Sequence, residues 1–270
     1  MTPAASARAL FAEEVVRPDN RIDLARAALY LAQEEYPELD VGFYLARLDE
    51  IAAAIAPQLP PEGYPLRVIQ CINDYLYDEL KFRGNEWDYY DPRNSFLNDV
   101  LDRRTGIPIS LSLVYAEVAR RVGLPVVGVG MPGHFLIRPT FEGAEIFIDA
   151  FRGGEILFPE DCAERLQQVY QQPVELQPQF LEPVGPKQVL ARMLTNLKLI
   201  YLNNRDLTRM LAAVERILLL FPDVPGERRD RGLLNYQLGH YDCATLDLER
   251  YLLLAPDADD ADQIRRLLGR

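Results

Sequence analysis

Two nearly identical nonapeptides stand 34 residues apart near the end of the chain. E-R-I-L-L-L-F-P-D begins at Glu215, and E-R-Y-L-L-L-A-P-D begins at Glu249. A self-similar period of that length is the mark of stacked helical hairpins, in which each unit buries its apolar face against its neighbour. The residues between the copies agree with this. Gly232, Gly239 and Ala244 are small enough to let two antiparallel helices approach closely, Tyr241 is a space-filler, and Pro256 ends a helix. The earlier copy keeps Leu197, Tyr201 and Pro222 but lacks the inner glycine. A further helix, D-A-D-Q-I-R-R-L-L (260–268), is expected to cap a stack that two hairpins alone would leave marginal.

A second region reads differently. Residues 1–83 show helical spacing throughout, as in Ala25, Ala28, Leu29, Ala32 and again Leu45, Leu48, Ile51, Ala52, Ile55. A third helix is predicted from Tyr64 to Leu80, with Cys71 inside its apolar stripe as a core thiol. The loop Gly84–Pro92 is rich in rings and acids. Its residues Asn85, Trp87 and Tyr89, with Asn94 just beyond, are candidate binding residues, because exposed Trp and Tyr often mark recognition surface. Asn94 or Ser95 is expected to cap a short helix that stops at Gly106.

Pro108 suits the first turn of the next helix, which runs to about Val122 and is closed by Gly123 and Pro125. Three short β-like runs follow: V-V-G-V-G-M, H-F-L-I-R and E-I-F-I-D-A-F. Alternation puts His134 and Leu136 on one face of the second run, and Phe147 and Asp149 on one face of the third. Antiparallel neighbours in the right register therefore let Asp149 orient His134. Cys162 falls in the first turn of a helix beginning near Pro159, where the dipole would lower a thiol pKa. The proline-rich stretch 171–186 is expected to be a linker.

The chain of 270 residues carries 41 acidic against 29 basic residues, a formal charge of −12. That balance argues against nucleic acid or an anionic membrane as the main partner. Arg103, Arg104, Arg120 and Arg121 are the residues from which a local basic patch would be built. Three scattered cysteines give no disulfide framework and point to a reducing compartment, read as the cytoplasm. Two distant histidines without a carboxylate cluster give no metal-ligand spacing, and no cofactor is expected.

The segments F-R-G-N (82–85), D-P-R-N-S-F-L (91–97), R-R-T-G-I-P-I-S-L-S (103–112) and P-G-H-F-L-I-R (132–138), with F-I-D after them, resemble the SirB1 family. Its members join a transglutaminase-like domain to tetratricopeptide repeats, and the 34-residue period stands where those repeats belong. The resemblance implies an α+β, papain-like core with an N-terminal helical region, then an α-helical repeat region. The expected division is 1–170 for the transglutaminase-like domain, 171–186 for the linker and 187–270 for the repeats. The wider superfamily performs acyl transfer or peptide hydrolysis with Cys, His and Asp. His134 and Asp149 match two of these, and the resemblance implies that both side chains face the start of the Pro108 helix. In active members the cysteine opens the helix about fifteen residues before its closing G-[IL]-P, here Gly123-Leu124-Pro125, and that position holds Pro108.

Two function classes follow. One is a regulatory, protein-binding module that keeps the fold without its nucleophile, its repeats presenting Lys198, Asn203, Asn204, Asn235 and Gln237 to a protein or peptide partner. The other is an acyl-transfer enzyme or hydrolase in which His134, oriented by Asp149, activates Ser110. The bland role for Ser110 is a hydrogen bond in the first helical turn.

Overall fold

The computed structural model describes residues 3–61, 63–141, 143 and 145–269. Helix α1 spans Pro3–Val15. Aspartates then start two helices: Asp23 accepts from the Arg26 N–H ahead of α2 (Leu24–Gln33), and Asp40 accepts from the Phe43 N–H ahead of α3 (Val41–Ile55). Pro65 opens α4 (Pro65–Asn73), and the predicted continuation to Leu80 is present as a widened, π-helical turn over Asp74–Glu79.

Strand β1 is the dipeptide Arg83–Gly84. Helix α5 (Leu97–Arg103) ends two residues earlier than expected, because Arg104 itself takes the left-handed conformation at φ 53°. Gly106 instead joins Thr105 in β2 (Thr105–Gly106), which lies parallel to β1. Helix α6 (Pro108–Arg121) is buried on nearly all sides from Pro108 to Tyr115 and again at Glu117–Ala119. A helix apolar around most of its circumference has to sit inside the domain. It contacts α3, α4, α5 and strands on the next segment.

Those strands are β3 (Val126–Val129), β4 (Leu136–Pro139), β5 (Phe147–Asp149) and β6 (Glu155–Leu157), followed by α7 (Pro159–Tyr170). They form an antiparallel sheet in the order β6-β5-β4-β3-β7. The last member, β7 (Pro183–Val184), comes from the stretch read as a linker. Val174, Leu176, Phe180 and Leu181 of that stretch also pack on the core formed by Val129, Leu136, Phe147, Leu157, Cys162 and Leu166. The prolines concealed this: they suppress helix signals, and a two-residue edge strand leaves no alternation to detect.

The chain divides into two compact units, Met1–Leu190 and Ala191–Arg270, with the boundary inside α8 (Pro186–Asn203). In the second unit, α9 (Leu207–Leu220) and α11 (Tyr241–Leu254) start and end 34 residues apart, with α10 (Pro225–Gln237) between them. The expected cap is present as α12 (Ala261–Leu267), whose Ile264 packs on Leu248 and Tyr251. Where α10 crosses α11, a Cβ on Gly232 would stand 2.7 Å from the Leu248 side chain and 3.3 Å from the Ala244 carbonyl. Leu248 is fully buried and has nowhere to move. Gly232→Val should therefore cost about 1–3 kcal/mol of stability through overpacking. Denaturant unfolding followed by far-UV circular dichroism measures this, and an unchanged midpoint would refute the close-approach account.

Candidate functional site

Strand register brings the two residues singled out above together. Ile137 pairs with Ile148, so Leu136 lies opposite Asp149, and His134 follows on the same side. The His134 ring nitrogen Nε2 stands 2.9 Å from Asp149 Oδ2. Both are buried, Asp149 completely. The carboxylate has three further partners. Its Oδ1 accepts the backbone N–H groups of Phe151 (3.1 Å) and Arg152 (3.3 Å), which turns the chain at the end of β5. Its Oδ2 also meets Arg165 Nη1 at 3.2 Å. Arg165 projects from α7 and reaches Glu155 on β6 with its other nitrogen, at 2.7 Å. Sequence inspection missed Arg165. Its place one helical turn beyond Cys162, on the side of α7 that meets the sheet, was the available signal.

The surroundings of the pair are α7 and the turn after β5. Leu136 and Phe147, which share the face, pack with Cys162 and Leu166 of α7. The Phe151 ring stands edge-on to the His134 ring at 6.2 Å. Among the described residues, no hydrogen-bond partner of either side chain comes from α6, although α6 packs against β4 and against the turn that follows Asp149. Above the turn, the Tyr77 hydroxyl donates to the Ala150 carbonyl at 3.0 Å. Burial of that hydroxyl, then the nearby Tyr115 and the negative charge of Asp149, hold its pKa well above the usual phenol value.

The candidate nucleophiles lie elsewhere or are occupied. Pro108 opens α6. The Ser110 hydroxyl is fully buried, donates to the Asn94 carbonyl at 2.6 Å and accepts from the Ile107 N–H at 3.1 Å. That is the reciprocal half of a helix capping arrangement, so the bland role for Ser110 is the one its contacts describe. Ser112 is buried and has no hydrogen-bond partner among the described residues. Cys71 donates its thiol to the Gln58 carbonyl at 3.2 Å. Cys162 corrects the dipole expectation: burial first, then the adjacent Asp161 and Asp149, push its thiol up to about 12. Cys243 belongs to the second unit.

The proposed binding loop is split. Trp87 is fully exposed, and Tyr89 is half-buried beside Tyr90 and Phe151. Asn94 is instead fully buried. Its amide nitrogen donates to the carbonyls of Asp88 (2.7 Å) and Tyr89 (3.3 Å), and its oxygen accepts from Asn85 Nδ2 at 3.2 Å. Asn85 in turn accepts the Asp88 N–H at 3.0 Å. The two asparagines therefore shape the loop from inside; Trp87 is the residue it presents. In the repeat unit, Lys198 is held by Glu227 (2.8 Å) and Asp230 (2.6 Å), and Asn235 is buried beside His240. Neither is presented on a surface, whereas Asn203, Asn204 and Gln237 are exposed.

Comparison with known proteins agrees with this architecture. Residues 43–195 match the transglutaminase-like superfamily, and residues 197–269 match tetratricopeptide repeats. A UPF0162 protein of Xylella fastidiosa is 38% identical over 251 residues, spanning 92% of this chain and 89% of that one. A UPF0162 protein of Pseudomonas aeruginosa is 30% identical over 246 residues, 91% of this chain and 90% of that one. F-box only protein 21 of Mus musculus is 42% identical over 140 residues, which span 48% of this chain and 21% of that protein.

Two measurements probe the site. Asp149→Ala strands Arg165 and His134 without their shared acceptor and should cost about 3–5 kcal/mol. Asp149→Asn, whose amide oxygen still accepts from Phe151 and Arg152, should cost clearly less; equal losses would mean the backbone bonds carry nothing. The second concerns Asp91. Burial works against its charge, but hydrogen bonds from Arg93 and the charges of Arg93 and Arg103 prevail and hold its pKa below the ordinary carboxylate value. A depressed folded pKa contributes stability above the unfolded value near about 3.9, and that contribution is lost as pH falls through the folded value. Asp91→Asn should thus destabilise at neutral pH, and its deficit relative to the parent should vanish in acid. A deficit independent of pH would contradict this.

Proposed function

Because the chain belongs to the UPF0162 family and joins a transglutaminase-like domain to tetratricopeptide repeats, we propose that it is a SirB1-type, non-catalytic protein-binding module. In this reading the domain retains the superfamily's His–Asp pair as an internal brace, and the repeats from about residue 187 onward dock a protein partner. One observation carries the proposal. The buried Asp149 carboxylate divides its Oδ2 between His134 and Arg165, while no hydrogen bond joins His134 to a hydroxyl or thiol among the described residues. A histidine that activates a nucleophile needs that nucleophile within hydrogen-bond reach. Here Pro108 stands at the cysteine's position, and Ser110 has spent both its proton and a lone pair on backbone groups.

Two features support a role in protein recognition. Tetratricopeptide stacks offer extended surfaces to partners. Leu199, Leu202, Tyr241, Leu246 and Leu253 of the repeat unit are exposed apolar side chains. The three cysteines are free, which fits a reducing compartment such as the cytoplasm. No helix among the described residues is long and apolar enough to cross a membrane.

The competing acyl-transfer reading with Ser110, His134 and Asp149 makes a distinct demand. A fluorophosphonate probe would have to label Ser110, and His134→Ala would have to abolish that labelling in a folded protein. The expected outcome is no adduct on Ser110 by peptide mass spectrometry, under conditions that fully label a serine hydrolase. Labelling of Ser110 that depends on His134 would overturn the non-catalytic proposal.

A further inference from the structure

Lys81, Arg83, Arg103 and Arg104 converge on two adjoining cavities of about 560 and 590 Å³ that share Arg83 and Arg103 in their walls. The parallel ladder of β1 and β2 holds them, with the Arg83 N–H donating to the Arg104 carbonyl and the Asn85 N–H to that of Gly106, both at 2.9 Å. Arg103 is already committed, to Asp91 at 3.4 Å and to Asn94. The other three cations are not. Arg104 gives one nitrogen to the Leu80 carbonyl at 2.9 Å, and none of Lys81, Arg83 and Arg104 has a carboxylate partner among the described residues. In a chain with 41 acidic and 29 basic residues, three such cations in one groove are a concentration against the overall charge.

The groove is also built at a conformational cost. Lys81 (φ 62°) and Arg104 (φ 53°) both hold the left-handed backbone that non-glycine residues avoid, and they line the same cavity. Such a residue persists only where its surroundings enforce it. At the far end of the groove stands Trp87, fully exposed, lining the second cavity. Beneath it, Gly84 leaves room for the Phe151 ring, which a Cβ there would meet at 2.6 Å, and Phe151 in turn touches His134.

We propose that this groove docks an acidic peptide segment of a partner protein, with carboxylates on Lys81, Arg83 and Arg104 and a neighbouring side chain against the Trp87 ring. This names the partner chemistry for the protein-binding reading and rests on it. Two joined cavities exceed what a single small anion fills, and guanidinium groups free of acids are suited to carboxylates. A polyphosphate chain fits less well, since it carries charge at every unit and a molecule of charge −12 repels it more than a peptide segment with a few carboxylates.

Trp87 is the chain's single tryptophan, so intrinsic fluorescence reports on the groove directly. The probe is a fluorescein-free dodecapeptide alternating Glu with Gly and Leu, titrated into the full chain. Its Gln-for-Glu analogue, inorganic phosphate and a uridine dodecanucleotide serve as comparators. A saturable change in Trp87 emission is expected with the Glu peptide alone, weakening about fivefold between about 50 and about 300 mM salt. Arg83→Glu and Lys81→Glu, both exposed positions, should each weaken binding about tenfold. Arg266→Glu, an equal charge change on α12, should leave it within about twofold.

No saturable change, equal binding of the Gln peptide, or indifference to Arg83→Glu would overturn the proposal. Tighter groove-dependent binding of the oligonucleotide, or of phosphate alone, would overturn it in favour of that ligand. The peptide is recovered and weighed afterwards. Intact peptide is the expected result, whereas hydrolysed or acyl-transferred peptide would sustain the groove and sink the non-catalytic reading.

Discussion

A carboxylate with no exposed surface has to be answered on all sides by donors, and Asp149 is answered by four. Two come from the backbone of its own turn, one from the approach to β4 and one from α7. Desolvating that charge costs several kcal/mol unless every partner is in place. The sheet register, the turn after β5 and the seating of α7 are therefore coupled through one side chain. The same buried setting holds the Cys162 thiol, a turn before Arg165, above its usual pKa: burial first, then the charges of Asp161 and Asp149, oppose a thiolate, while Arg165 acts the other way.

A second polar knot organises the other side of the domain. Asn94 ties the carbonyls of Asp88 and Tyr89 through its side chain and takes the Ser110 hydroxyl on its own carbonyl. The D-P-R-N segment thus locks the aromatic loop to the first turn of α6. A buried asparagine satisfied this fully specifies one loop conformation, since any other would leave amide groups without partners. Trp87 can stand wholly in solvent only because the loop beneath it is held from inside.

Much of this was legible in the residues, and the parts that were not have physical causes. The 34-residue period carried the repeat unit and its cap, because small residues and helix-ending prolines act at fixed positions in a hairpin. His134 and Asp149 were placed together by two-residue alternation, which register then confirmed. Their environment was not legible, since alternation says which residues share a face and not which helix covers it. Arg165 was invisible for the same reason. Asn94 reads from the sequence as a binding residue or a helix cap, and only the hydrogen-bond geometry shows its side chain satisfied inside the loop, with Phe96 in the cap position. The strand at Pro183–Val184 lay below the length at which any pattern exists.

In the non-catalytic reading we propose, the polar groups around the His–Asp pair serve packing rather than chemistry. In a site arranged for acyl transfer, the histidine must keep one nitrogen for the nucleophile and its carboxylate must serve mainly to orient the ring. Here Asp149 is shared between His134 and a guanidinium, and the Ser110 hydroxyl is held by the Asn94 carbonyl and the Ile107 N–H. Lys81, Arg83 and Arg104, without carboxylate partners among the described residues, gather beside Gly84, against which the Phe151 ring packs, and Phe151 stands edge-on to His134. In the proposed reading, recognition at this groove and bracing in the interior make compatible demands, since a docking site gains from rigid support.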